Sequence, residues 1–113
     1  MSDTLIRDFT IQKGADLTIG FDISPLGDIN GGELIWKVAN TVKSDPILVY
    51  KLSQGEINVQ NEIAYIEISS LDTLEADLKL YNYHELEYTD ADGKIDIVSS
   101  GKMFVQPTLV GKE

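Results

Sequence analysis

Leu17, Ile19, Phe21 and Ile23 alternate with Thr18, Gly20 and Asp22. Apolar side chains at a spacing of two cannot share one face of a helix, but they line one face of a strand. This stretch therefore predicts a half-buried strand. Leu34, Trp36 and Val38 repeat the pattern, and so do Ala64, Ile66 and Ile68, with Ile63 and Tyr65 facing the other way. Several strands, each with one apolar face, need a second layer to cover those faces. Further strand-like runs fall at residues 9–12, 47–52, 57–59, 78–89, 95–99 and 102–105, with Ser100-Gly101 as a break between the last two. Loops rich in Gly, Pro, Asn, Asp and Ser separate them, notably residues 24–32 and 40–46. About seven to nine short strands with little helix predict an all-β, antiparallel two-sheet sandwich, with a closed barrel as the rival.

Two local signals are sharper. Asp92-Gly93 is a dipeptide suited to the positive φ angles of a tight hairpin turn, so residues 78–105 read as a long hairpin. Ser69 and Asp72 match a capping pattern, with Leu71, Leu74 and Leu78 at helical spacing. These predict one short helix near residues 69–77, plugging one end of the sandwich with its leucines inward. Residues 78–89 fit two registers. In a regular strand, Asn82 and His84 share the face of Leu86 and Tyr88. A β-bulge between Tyr81 and Glu85 would instead put tyrosines and leucines together.

A chain of 113 residues is one domain, residues 1–113, with an ordered core expected over residues 9–110. A core of this size needs no disulfide, and there is no cysteine to make one. Pro107 suits a strand end, and residues 111–113 are expected to fray. No basic stretch followed by a long apolar run opens the sequence, so the usual secretory route is not expected. The net charge of −10 disfavours nucleic acid and anionic membranes as partners. It leaves solubility, a basic partner surface, or cations at acidic loops as what the charge serves.

Candidate chemistry is sparse. His84 is the single histidine, and nothing around it resembles a nucleophile elbow. One histidine without cysteine makes a poor zinc site. Asp90-Ala91-Asp92-Gly93 lacks the bidentate acid of a calcium loop, because its twelfth position is Gly101. Gly31-Gly32 has no phosphate-loop context. No catalytic, cofactor-binding or metal residue is assigned, and no enzyme activity is expected. Trp36, Phe21, Leu86 and Tyr88 read as core anchors, with a ligand-stacking role for Trp36 as the minority reading. Tyr81, Tyr83, Phe9 and Phe104 form the candidate interaction surface. Tyr81 or Tyr83 could alternatively serve as a tyrosine-corner residue. Residues 9–12 and 103–105 are candidate docking edges.

Three segments taken in order carry a resemblance. They are Ile11-Gln12-Lys13-Gly14-Ala15-Asp16-Leu17, the strand around Trp36-Lys37-Val38, and Leu86-Glu87-Tyr88-Thr89-Asp90-Ala91-Asp92-Gly93-Lys94 followed by Gly101-Lys102-Met103-Phe104-Val105-Gln106-Pro107. Together they resemble the immunoglobulin-like β-sandwich domains of tailed-phage and prophage structural proteins, such as the N-terminal domain of baseplate upper proteins and tail-fibre-associated sandwiches. One departure stands out: the family tends to carry an aromatic residue where this chain has His84. The resemblance implies a virion structural or tail and baseplate assembly module that acts by protein–protein contacts. Its partners would be other phage structural proteins or further copies of itself. It would assemble in the bacterial cytoplasm and end in the virion, without cofactor. Alternatives are a carbohydrate-binding or receptor-recognition sandwich, and a small acidic inhibitor of a host protein.

Overall fold

A computed structural model describes residues 5–76 and 78–106. Pro107 and residues 108–113 lie outside the described residues, as does residue 77 at the end of the expected helix. Among the described residues, nine strands follow in chain order: β1 (Leu5–Ile6), β2 (Phe9–Gln12), β3 (Leu17–Asp22), β4 (Glu33–Ala39), β5 (Leu48–Lys51), β6 (Ile57–Gln60), β7 (Ile63–Ile68), β8 (Tyr81–Thr89) and β9 (Ile95–Gln106). The described residues include one α-helix, α1 (Ser70–Glu75), which joins β7 to β8.

The strands form two sheets. The smaller has the order β3-β7-β6. The larger has the order β1-β9-β8-β4-β5, with β2 continuing along the same edge of β9. Every pairing is antiparallel except those of β1 and β2 with β9, which are parallel. With β3 to β9 in the places of strands B, C, C′, D, E, F and G, this is the immunoglobulin-like sandwich: B-E-D faces G-F-C-C′.

The period-two runs bury the faces that the alternation assigns. Ile19, Phe21 and Ile23 meet Leu34, Trp36 and Val38 across the sandwich, with Ala64, Ile66 and Ile68 beside them. Trp36, on the strand in position C, is fully buried, as are Leu86 and Phe21, and Tyr88 is nearly so. Where antibody domains place a disulfide between strands B and F under the tryptophan, this chain places two rings. Phe21 and His84 lie 6.0 Å apart, and Trp36 lies 6.1 Å from His84.

Several details differ from expectation. β8 is regular from Tyr81 to Glu85, so Asn82 and His84 are buried on the face of Leu86 and Tyr88 while Tyr81 and Tyr83 point outward. The register shift lies further on, between Leu86 and Glu87. β9 runs unbroken through Ser100-Gly101, because Gly101 provides clearance rather than a stop. It pairs with β8 on one side and β2 on the other, so residues 103–105 are not an edge. The capping of α1 is as expected: the Ser69 hydroxyl accepts from the Asp72 N–H. Of the three leucines, Leu78 packs partly buried against the core, but the two within the helix do not turn inward. Leu71 and Leu74 are 60% and 51% exposed, while Thr73 is buried. Six residues offer too little helix to bury a leucine stripe. The helix docks instead through the Thr73 hydroxyl, which accepts from the Gly14 N–H at 2.9 Å in the turn before β3.

The hairpin turns are also reassigned. Gly93 alone takes positive φ at the β8–β9 turn; Asp92 does not. The Gly93 N–H donates to the Asp90 carbonyl and the Asp90 N–H to the Lys94 carbonyl, the pattern of a three-residue loop closed by a left-handed glycine. The two-residue turn with both central residues at positive φ is Asn61-Glu62, between β6 and β7. No glycine marks it in the sequence.

Candidate interaction face

The outer face of the larger sheet follows from the alternation of β8. Because Asn82, His84 and Leu86 point inward, Tyr81, Tyr83, Glu85 and Glu87 point outward. Register then selects their neighbours. Tyr81 lies opposite Phe104 and Tyr83 opposite Lys102 on β9. On β4, Ala39 lies opposite Tyr83, Lys37 opposite Glu85 and Ile35 opposite Glu87. The Tyr81 and Phe104 rings meet edge to face at 6.0 Å, the arrangement that aromatic quadrupoles favour. Tyr81 is 64% exposed and Leu80, just before it, 70%.

Tyr83, two residues on from Tyr81, lines a groove of about 570 Å3. Its floor is the outward face of β4, β8 and β9, with Lys37, Tyr83, Glu85 and Lys102. The loop between β4 and β5 overhangs it, bringing Val42 and Pro46. Val42 is 77% exposed, an apolar side chain held in solvent at the rim. The loop is tied to itself: the Thr41 hydroxyl accepts from the Lys43 and Ser44 N–H groups, and the Ser44 hydroxyl donates to the Thr41 carbonyl.

The electrostatics of the floor are uneven. Lys37 pairs with Glu87 at 3.1 Å. Asp8, from the kink between β1 and β2, accepts from the Lys102 N–H at 2.8 Å. Glu85 lies between them, half-buried, and its carboxyl is held above the usual carboxylate range. Burial is the main cause; the neighbouring Glu87 adds to it and Lys37 opposes it.

Buried polar groups fix the strand from beneath. Trp36 Nε1–H donates to His84 Nδ1 at 3.3 Å. The ring proton must then sit on Nε2, which donates to the Arg7 carbonyl at 2.6 Å. Burial lowers the His84 pKa, so the neutral ring is favoured. Asn82 is fully buried and bridges the Lys79 backbone, the Asn40 side chain and the Met103 carbonyl. Both side chains are satisfied in place, which gives the outward residues a rigid base.

The candidate surface residues separate into two places. Tyr81, Tyr83 and Phe104 share the outer face. Phe9 does not: it points inward and stacks on Trp36 at 6.4 Å and edge-on to His84 at 4.8 Å. β2 is an edge strand, so its inward side chain covers the flank of the core. The burial of Trp36 removes its ligand-stacking reading. Glu85, Lys37 and Val42 were not singled out from the sequence. Glu85 shares the parity of the two tyrosines, and Val42 is an isolated apolar residue in a polar loop; those were the available signals.

Among the described residues, no cluster of three or more His, Asp or Glu side chains is placed to hold a metal. The Asp90 carboxylate turns back on its own loop, accepting from the Asp92 and Lys94 N–H groups. No helix among the described residues is long and apolar enough to cross a membrane. No family model and no curated protein matches this chain. Among solved structures, the chain is similar to the extracellular fragment, including the stalk region, of novel immune-type receptor 11 from Ictalurus punctatus. The identity is 10% and the TM-score 0.48, over 94% of this chain and 87% of that one.

Proposed function

We propose that this chain is a contact module of a tailed-phage or prophage particle, acting through the outer face of its larger sheet. One observation carries the interaction reading: Leu80, Tyr81, Tyr83 and Val42 stand exposed on or beside one rigid sheet face, next to a groove. Apolar and aromatic side chains gathered on one side of a small domain mark a surface that another protein covers. The immunoglobulin-like fold fits such a role. The particle assignment rests on the ordered motifs at residues 11–17, 36–38, 86–94 and 101–107, which resemble phage baseplate and tail-fibre sandwiches.

The test is quantitative peptide mass spectrometry of purified particles from the bacterium that carries this sequence. Stoichiometric presence relative to the major capsid protein is the expected result. Abundance in infected cells together with absence from particles overturns the virion assignment.

A second reading draws on Tyr81 and Tyr83, two exposed aromatic rings on one face, as a platform for sugar. It predicts that a glycan array gives a ligand whose binding is lost in Tyr81→Ala. A blank array removes it.

A further inference from the structure

We infer that the groove beside Glu85 seats a basic side chain, an arginine or lysine carried on an extended segment of a partner protein. This rests on the reading of the chain as a contact module and names the chemistry of what it contacts.

Part of the charge in and around the groove is already engaged. Lys37 is engaged by Glu87 and one oxygen of Asp8 by the Lys102 N–H. The groove itself is lined by Asp8 and Glu85 against Lys37 and Lys102, and Glu87, paired to Lys37, adds a third carboxylate beside it. Glu85 sits half-buried among them, with a second carboxylate two residues away on the same face. Burial and that like charge both oppose its ionisation. A cation brought beside it relieves both, because an opposite charge at short range favours the ionised form. Tyr83 and Val42 line the groove and supply apolar walls for the methylene stem of such a side chain.

Net charge selects among occupants. A second copy of this chain would bring another −10 and be repelled. A basic segment is drawn in at long range and held at short range. The aromatic pair adds a spacing. Tyr81 lies four residues before Glu85 on the same face of β8, about 13 Å at roughly 3.3 Å per residue. An extended segment lying along β8 therefore matches both features with a basic residue and an apolar residue four positions apart.

The test uses the full chain, labelled with 15N, titrated with the amidated peptide acetyl-RTSTL. Three comparisons accompany it. One peptide replaces arginine by citrulline, which keeps the shape and removes the charge. Another, acetyl-RTSLT, moves the leucine to the opposite side of the extended segment. The third compares Glu85→Gln with Glu67→Gln, Glu67 being an exposed carboxylate on the smaller sheet.

Saturable shifts at the Tyr81, Tyr83, Glu85, Lys37 and Lys102 amides are the expected result. Citrulline and Glu85→Gln should each weaken binding about three- to fivefold, the range that a partly exposed ion pair supplies. The shifted leucine should leave the Tyr81 amide unmoved. Glu67→Gln should bind as the parent does. Shifts that do not saturate overturn the inference, as does equal binding of the citrulline peptide or equal weakening by Glu67→Gln. The outcome is separable from the particle assignment. Peptide binding by a chain absent from particles leaves this site standing and removes the virion role. A chain present in particles that fails to bind the peptide removes only this inference.

Discussion

Gly101→Ala should break the contact that closes the N-terminal edge of the larger sheet. Between β1 and β2 the chain kinks at Arg7 and Asp8 and presses onto β9. A Cβ on Gly101 would lie 1.9 Å from the Arg7 carbonyl oxygen, 2.6 Å from its carbonyl carbon and 2.8 Å from Asp8 Oδ1. Two of these atoms are backbone, so no side-chain rotation relieves the clash, and the β1–β2 segment must move. Three hydrogen bonds depend on its position. The Arg7 N–H donates to the Ser100 carbonyl at 2.7 Å, His84 Nε2 donates to the Arg7 carbonyl at 2.6 Å, and the Lys102 N–H donates to Asp8 Oδ1 at 2.8 Å. The Arg7 guanidinium also donates to the Gly20 carbonyl and lies 5.1 Å from the centre of the Phe21 ring, bridging the two sheets. At about 1 kcal/mol net per hydrogen bond, the three alone amount to about 3 kcal/mol. That is a large part of the roughly 5–15 kcal/mol that holds a domain folded. It corresponds to a fall in melting temperature of about 12 °C, at roughly 4 °C per kcal/mol for a chain of this size. Urea denaturation followed by the fluorescence of the buried Trp36 measures the loss, and hydrogen exchange at the Lys102 amide locates it. Ser100→Ala, one residue away with a Cβ already present, should stay within about 0.5 kcal/mol of the parent. If Gly101→Ala costs under about 1 kcal/mol and leaves the Lys102 amide protected, the close approach of Arg7 is refuted.

Two further outcomes follow from the same geometry. Burial, aided by the Arg7 guanidinium and opposed by Asp8 and the Arg7 carbonyl, lowers the His84 pKa below its ordinary 6.5. The unfolded chain therefore binds the proton first, so stability is complete above about pH 6.5 and falls as pH drops from there toward the folded-state value, by at most about 1.4 kcal/mol per pH unit. The raised Glu85 carboxyl acts in the opposite direction, so the comparison is between parent and His84→Gln: urea midpoints at pH 7.5 and 5.5 should converge in the variant, and an equal loss in both would remove His84 as the cause. Glu62→Gly should stabilise the β6–β7 hairpin by about 0.5–1 kcal/mol, because Glu62 holds φ at 64° where a side chain is strained; a lower urea midpoint would show that the glutamate side chain supports the turn.

The inward faces of β3, β4 and β7 were legible in the sequence because alternation is a local property. Thr18 and Asp22 could not share a face with Ile19 and Phe21 in any strand, whatever packed against it. The cap of α1 was legible for the same reason, since Ser69 and Asp72 meet within one turn. The leucines of α1 were misjudged because helical spacing describes a stripe, while the direction of the stripe depends on what lies beneath it. There the Gly14 N–H reaches Thr73. The register of β8 was undecidable because a buried Asn82 and a buried His84 are costly by themselves. They become acceptable only when Trp36, Arg7, Lys79 and Asn40 arrive from distant parts of the chain to satisfy them. The candidate face has the same origin. Tyr81, Tyr83 and Phe104 were recognisable as residue types, but cross-strand register brought Tyr81 to Phe104 and Glu85 to Lys37. The fold of the β4–β5 loop then brought Val42 to the groove that Tyr83, Glu85 and Lys37 line. Period and capping are written in neighbouring residues. Pairing, clearance and the partners of buried polar groups are decided between residues far apart in the chain, where only the assembled sheets fix the distances.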